Sequence, residues 1–269
     1  STFTKIEERM KIRLTFLIAL LAISFSAALA QVNMTDASGK KQGPWVKRYG
    51  NGNILYQGTF KDDKPIGEFK RFYEDGTVKA ILYYDPAGET ATAVFYHPDG
   101  KKAAEGKYTA QKKEGTWKYY SANTEGYMIS EENYSSDKHE GVSRKFYQTG
   151  DVAEILPYHN DLKEGEWIQY YTDGKICLKA TYKNGMLEGA FLLYYPDGTP
   201  QYEGTYLNDK RNGKWKAYNE DGTLRSEIEY VNGNATDPSL AEQETKYLDE
   251  LEKNKGKISD PEMTGNEAR

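Results

Sequence analysis

A glycine recurs at a fixed interval through most of this chain, at Gly52, Gly76, Gly100, Gly126, Gly150, Gly174, Gly198 and Gly222, with every step 24 residues except one of 26. One such unit is too short to bury a core alone, so the copies must stack into an array in which each touches chiefly its neighbours.

The stretch Gly165 to Tyr182, GEWIQYYTDGKICLKATY, shows what is copied. Asp173-Gly174 is a dipeptide able to supply the two positive-φ residues of a type I′ turn, which predicts a β-hairpin pairing Thr172 with Lys175. Alternation along the strands then puts Trp167, Gln169, Tyr171, Ile176, Leu178, Ala180 and Tyr182 on one apolar face. Glu166, Ile168, Tyr170, Thr172, Lys175, Cys177, Lys179 and Thr181 fall on the other, more polar one.

The register carries through the chain. The residue before each turn glycine is Asn51, Asp75, Asp99, Glu125, Thr149, Asp173, Asp197 or Asp221, and eight residues after each stands Phe60, Tyr84, Tyr108, Tyr134, Tyr158, Tyr182, Tyr206 or Tyr230. Opening glycines follow at Gly43, Gly67, Gly115, Gly141, Gly165, Gly189 and Gly213, with Ala91 the departure. Two residues further on, Trp45, Phe69, Trp117, Trp167, Phe191 and Trp215 form a column of anchors on the apolar face, and Ala93 and Ser143 lack the ring. Hairpins three and five are therefore expected to be the least tightly packed. Hairpin three also puts His97 where others have Tyr49 or Tyr171, and the 26-residue step predicts a two-residue insertion in the loop Ser121 to Glu125.

The ends read differently. Met10 precedes Lys11, Arg13 and an apolar run from Leu14 to Leu29 that closes in Ala28-Leu29-Ala30, the pattern of a signal peptide cleaved before Gln31. An uncleaved anchor is the alternative, but the run falls short of the roughly 20 residues a spanning helix needs. The expected organisation is a leader with an upstream remnant over 1–30, a lead-in over 31–42, repeats over 43–236, a capping helix over 237–256 and a disordered tail over 257–269. Asp237-Pro238 supplies the N-cap and first-turn proline, and Leu240, Tyr247, Leu248 and Leu251 the helix's apolar side.

Composition excludes several classes of function. With 36 basic and 41 acidic residues the chain has a net charge of −5, so no nucleic acid is expected as a partner. Cys177 is the only cysteine and cannot form an intramolecular disulfide. His97, His139 and His159 sit in different repeats without metal-ligand or triad spacing, so neither a metal, another cofactor nor a catalytic group is expected. An even number of alternating strands after an export signal also fits an outer-membrane barrel, but Lys47, Arg71, Lys145 and Gln169 interrupt the apolar face that lipid would need.

The pattern Tyr-x-x-Gly-x-x-x-Gly-x-Trp/Phe, as in Tyr182 to Phe191, resembles the MORN repeat, and with the added Asp-Gly hairpin its bacterial variant family. The resemblance covers about Asp36 to Gly233; Ala91, Ala93 and Ser143 depart from it. It implies an all-β fold, an elongated antiparallel meander of about eight hairpin repeats with a short C-terminal helix. It implies function more loosely: some relatives carry an antitoxin label, and MORN repeats elsewhere are described as scaffolds or membrane-associated modules.

One feature points to binding. Five residues after each opening position stand Phe72, Tyr96, Tyr120, Phe146, Tyr170, Tyr194 and Tyr218, headed by Arg48 and placed by alternation opposite the anchors. Such rings would lie roughly 9.5 Å apart, a ladder for an extended ligand. The reading favoured by the rarity of exposed aromatic stripes is that a bulge or the coil of the sheet tucks them into packing. The leading expectation is a non-enzymatic exported scaffold binding a protein in the periplasm or at the cell surface. A glycan-binding module using the ladder is the alternative, and an antitoxin or immunity protein a third.

Overall fold

The computed structural model describes residues 31–123, 126–244, 246 and 248–249. The expected leader, residues 250–256 of the expected helix, Tyr247 and the tail all lie outside them. The described chain is one antiparallel meander of twenty strands that does not close on itself. Its body is eight hairpins: Lys41–Arg48 with Ile54–Lys61, Lys64–Phe72 with Val78–Tyr84, Thr90–Tyr96 with Lys102–Thr109, and Lys112–Tyr120 with Met128–Ser135. Then come Gly141–Phe146 with Val152–His159, Gly165–Tyr170 with Ile176–Lys183, Met186–Tyr194 with Pro200–Leu207, and Lys210–Tyr218 with Leu224–Val231. Four two-residue strands extend the ladders, and a helix, Pro238–Glu244, follows the last hairpin. Asp237 caps that helix, its carboxylate accepting from the amides of Ser239 and Leu240.

The body of each hairpin pairs as expected, for example Trp167 with Ala180 and Gln169 with Leu178. Its turn does not. The Gly174 amide donates to the Tyr171 carbonyl and the Tyr171 amide to the Lys175 carbonyl, while only Gly174 has positive φ, at 82°. This is a three-residue loop, a type I turn followed by a left-handed glycine. Asp-Gly serves it as well as it serves a type I′ turn, because the carboxylate can cap an amide two residues on, as Asp173 does for Lys175. The shifted turn is reconciled with the body by a bulge at Cys177. Ile176, expected on the apolar face, is thrown outward to 38% exposure, and Cys177, expected on the polar face, packs against the core, where burial pushes its thiol pKa up.

The true type I′ turns join one hairpin to the next. Asp62-Asp63, Ala110-Gln111, Ser136-Asp137, Asn160-Asp161, Asn184-Gly185, Asn208-Asp209 and Asn232-Gly233 all place both central residues at positive φ. The opening glycines follow in left-handed conformation and bulge the strand, so that Gln57 pairs with Lys70 but Thr59 with Ile66. Where Ala91 replaces the glycine that bulge is missing: Ala80 to Tyr84 pair with Phe95 to Ala91 in unbroken register, and a wider loop from Asp85 to Thr90 takes up the residues.

Both edges of the sheet are stitched across one repeat, forward at one edge and back at the other. At the loop edge, Tyr49, Tyr73, Tyr127, Tyr147, Tyr171 and Tyr195 each donate a hydroxyl to the backbone carbonyl of Phe72, Tyr96, Phe146, Tyr170, Tyr194 and Tyr218 respectively, at 2.5–2.9 Å. His97 takes the same place, its Nε2 lying 3.1 Å from the Tyr120 carbonyl. At the opposite edge the turn reaches back: the Asp209 amide donates to the Leu187 carbonyl while its carboxylate accepts from the Leu187 amide. Asp63 and Lys41, Asp137 and Lys113, and Asp161 and His139 repeat the exchange.

The loop aspartates also respond to acid. The Thr77 hydroxyl holds the Asp75 pKa below its usual value, the Lys175 amide does so for Asp173, the Thr199 amide for Asp197 and the Thr223 hydroxyl for Asp221. The Ser38 hydroxyl draws Asp36 down to about 2. A depressed folded pKa contributes stability that is present above the unfolded aspartate value, about 3.9, and lost as pH falls through the folded one. Melting temperature is expected to hold from neutral pH down to about 5 and fall steadily below about 4. The chain carrying Asp75→Asn, Asp173→Asn, Asp197→Asn and Asp221→Asn should decline less steeply. An unchanged pH profile in that variant would refute the assignment.

Candidate interaction surfaces

The anchor face holds the core, divided in two. One cluster runs from Phe60 to Tyr134 over hairpins one to four, the other from Leu156 to Leu248 over hairpins five to eight and the C-terminal segment. Each ring needs a small residue across the strand. A Cβ on Gly58, Gly106 or Gly204 would lie 2.1–2.3 Å from the ring of Phe69, Trp117 or Trp215. Ala180 faces both Trp167 and Phe191. The relation reverses where the anchor is small, Ala93 pairing with Leu82 and Ser143 falling opposite Glu132.

The two ringless hairpins thus behave differently. Ala93 is only 1% exposed and Leu82 buried beside it, so the backbone layer of hairpin three is closed, contrary to the expectation of loose packing. Hairpin five does interrupt the core, and polar contacts flank the break from hairpin four to hairpin six. Lys113 Nζ donates to the Tyr119 hydroxyl at 2.7 Å, which meets the Tyr134 hydroxyl at 3.3 Å; Tyr134 donates to Glu132, and His139 Nε2 lies 2.7 Å from Tyr134. Burial, then the Glu132 charge, pushes the Tyr134 pKa up. Alongside, the carboxylate of Glu154, 2% exposed, is met by Lys145 Nζ, Trp167 Nε1 and Gln169 Nε2 at 3.2, 3.0 and 2.9 Å. Two polar residues that broke the apolar pattern in sequence, Lys145 and Gln169, thereby find their use.

A second column escaped sequence reasoning. Lys41, Lys113, Lys163 and Arg211, each two residues before an opening glycine, lie over aromatic rings at 4.7–5.6 Å from the centroids. Their periodic spacing was the available signal.

On the opposite face, Phe72, Tyr96, Tyr120, Phe146, Tyr170, Tyr194 and Tyr218 are all half-buried, and each sits at the hairpin bulge. Charged pairs surround them, including Lys179 with Glu166 and Lys214 with Glu227, both 2.7 Å. Tyr120 donates to Glu105 at 2.5 Å and Tyr218 to Glu203 at 2.9 Å.

Among the described residues, the anchor face is covered at one end and open at the other. Over hairpins seven and eight, Leu240 and Leu248 pack on the second core cluster. Arg211 pairs with Asp249 at 2.9 Å, Arg225 with Glu244 at 2.9 Å, and the Tyr202 hydroxyl donates to the Glu244 carbonyl. Beneath this segment lies a crevice of about 10 Å³, lined by Tyr202, Trp215 and Leu248 among others. Over hairpins one to three the same face carries a cavity of about 660 Å³, lined by Phe60, Phe69, Arg71, Tyr84, Phe95 and Tyr108 among others. No helix among the described residues is long and apolar enough to cross a membrane, and no group of three or more His, Cys, Asp or Glu comes together there.

The description "MORN repeat variant" matches residues 41–62, 65–85, 140–160, 163–184, 187–208 and 211–232. The gap between the second and third matches holds the hairpin without opening glycine or ring and the one with the two-residue insertion. No curated protein matches the chain. A solved structure titled "Crystal Structure of TcdB2-TccC3-TEV" is similar at 12% identity over 71% of this chain, with a TM-score of 0.20. The chain spans 11% of the length of that structure, and so low a TM-score bears on neither fold nor function.

Proposed function

Because the chain belongs to the MORN repeat variant family, we propose that it is a non-enzymatic, exported repeat scaffold that binds a protein partner in the periplasm or at the cell surface. The observation that carries this reading is where the repeated residues go. Anchor rings, facing glycines, turn aspartates and the loop-edge tyrosine hydroxyls are engaged in packing and stitching, which leaves the array extended surface instead of convergent chemistry. Export rests on the apolar run Leu14 to Leu29 and the Ala28-Leu29-Ala30 boundary. Two measurements test it: the N-terminus of the protein recovered from cells, expected at Gln31, and in-cell photo-crosslinking from the anchor face, expected to trap a discrete protein band. An uncleaved chain retained in the cytoplasm, or no crosslinked band, would overturn the reading.

A glycan-binding reading is favoured by one observation, the seven half-exposed rings among charged pairs. It predicts glycan-array binding that is abolished by simultaneous Tyr170, Tyr194 and Tyr218 to Ala changes.

A further inference from the structure

The cavity over hairpins one to three is where a repeat feature is missing. In hairpins two and four, Phe69 and Trp117 lie on glycines and reach the tyrosine columns, with ring centroids 6.2 Å from Tyr84 and 4.9 Å from Tyr108. Between them, hairpin three offers Ala93 opposite Leu82. The anchor ring of that strand is thus missing, and Tyr84 and Tyr108 line the cavity together with Phe95.

The cavity also contains a cation without a counter-ion. Arg71 lines it, and its guanidinium has no ion pair or side-chain hydrogen bond among the described residues. The phenols of Tyr84 and Tyr108 both feel its charge, which offsets part of the upward push of burial on their pKa values. An unpaired guanidinium among half-buried rings is suited to a carboxylate that brings apolar surface with it.

The covered end shows what such an occupant is like. There a short helix and the residues after it supply leucines to the aromatic face and carboxylates to Arg211 and Arg225. The open end presents the same materials, rings and an arginine, with none of the described residues packed over them. The lining runs from Lys41 to Gln111, about six strands. At about 4.8 Å per strand this is a trough on the order of 30 Å long, the length of about 20 residues of helix.

From this juxtaposition we propose that the trough over hairpins one to three docks an amphipathic helix of a partner protein, with leucine-like side chains seated between Tyr84 and Tyr108 and an acidic side chain on Arg71. The inference rests on the protein-binding reading above and specifies its face and partner chemistry.

The test is selection of a random 20-residue peptide library on the full chain as recovered from cells, followed by fluorescence anisotropy of the enriched peptides. The expected peptides carry leucine-like residues at helical spacing with at least one Asp or Glu, and gain helical circular dichroism when bound. Leu82→Gly with Ala93→Phe restores the ring-on-glycine pair and should weaken binding at least tenfold. Arg71→Glu, at an exposed position that leaves the core untouched, should weaken it at least fivefold even if the first variant folds poorly. The triple change at Tyr170, Tyr194 and Tyr218 should leave it unaltered. Peptides that bind both groove variants as tightly as the parent would place docking elsewhere, overturning this inference while sparing the scaffold reading. Binders without helical spacing or without acidic residues would overturn the partner chemistry. Failure to enrich any peptide, with a fluorescent dodecanoate probe bound instead, would replace the helix by a small amphiphile.

Discussion

Replacing Trp117 by Ala is expected to destabilise the chain by about 3–5 kcal/mol, the cost of emptying a fully packed indole site. Trp117 is 0% exposed, lies on Gly106, stands edge-on to Tyr108 and stacks on Tyr119. Its indole N–H donates to the Lys107 carbonyl at 3.1 Å, and Lys113 Nζ sits 4.8 Å from its ring. Truncation would therefore open a void, remove a hydrogen bond to a carbonyl and take one of three rings from a lysine. Trp45 in the first hairpin is half-buried, and Trp45→Ala should cost less than half as much. Urea unfolding followed by circular dichroism measures both, and equal losses would contradict the packing described. Hydrogen exchange adds a sharper expectation. Protection should fall over hairpins one to four and persist over five to eight, because contacts in an array are between neighbours and the core is broken at Ser143.

Gly204→Ala should be costly for the opposite reason. The added methyl would lie 2.1 Å from Trp215 Cδ2 and 2.2 Å from Cε2, and overpacking of this kind costs about 1–3 kcal/mol. Backbone conformation is not the cause, since Gly204 is absent from the positive-φ residues. Gly to Ala within a strand otherwise gains about 0.5–1 kcal/mol by restricting the unfolded chain. In the background of Trp215→Ala the clash disappears, so the two changes together should be less damaging than their sum by about 1 kcal/mol or more. A neutral or stabilising Gly204→Ala in the parent chain would refute ring-on-glycine packing.

Much of this architecture could be read in the chain. All eight turn glycines are left-handed, the hairpin bodies keep the expected register, and the helix starts on Asp237. The turn type was misread because Asp-Gly suits two turns, and residues beyond the dipeptide decide between them. Ala110-Gln111 and Ser136-Asp137 carry no local signal for a left-handed pair. They are held there by bonds to the preceding repeat, such as Ala110 N–H to the Glu89 carbonyl and Asp137 N–H to the Lys113 carbonyl, and contacts of this range do not show in a five-residue window. The aromatic column opposite the anchors was legible as a column, but its half-burial depends on a bulge that follows from the true turn. For the groove, the sequence marked the right residue and suggested the wrong consequence: Ala93 does not loosen the layer, because Leu82 fills in across from it, and the missing ring volume emerges above the sheet.

The stitching at the two edges bears on how such a chain can change in descent. Most repeats offer a tyrosine hydroxyl to the next, with His97 standing in for one of them, so an interior repeat carries half of two near-identical joints. Copying or deleting a whole unit leaves all joints matched, whereas losing one residue from a strand would misalign every bond across it. Hairpin four shows the tolerated exception: its loop holds two extra residues, and Tyr127 has taken over the donation to Phe146 that the regular position, Ser121, cannot make. The number of repeats is thus free to drift through duplication while their phase is held fixed, and novelty collects in loops and in single anchors such as Ala93.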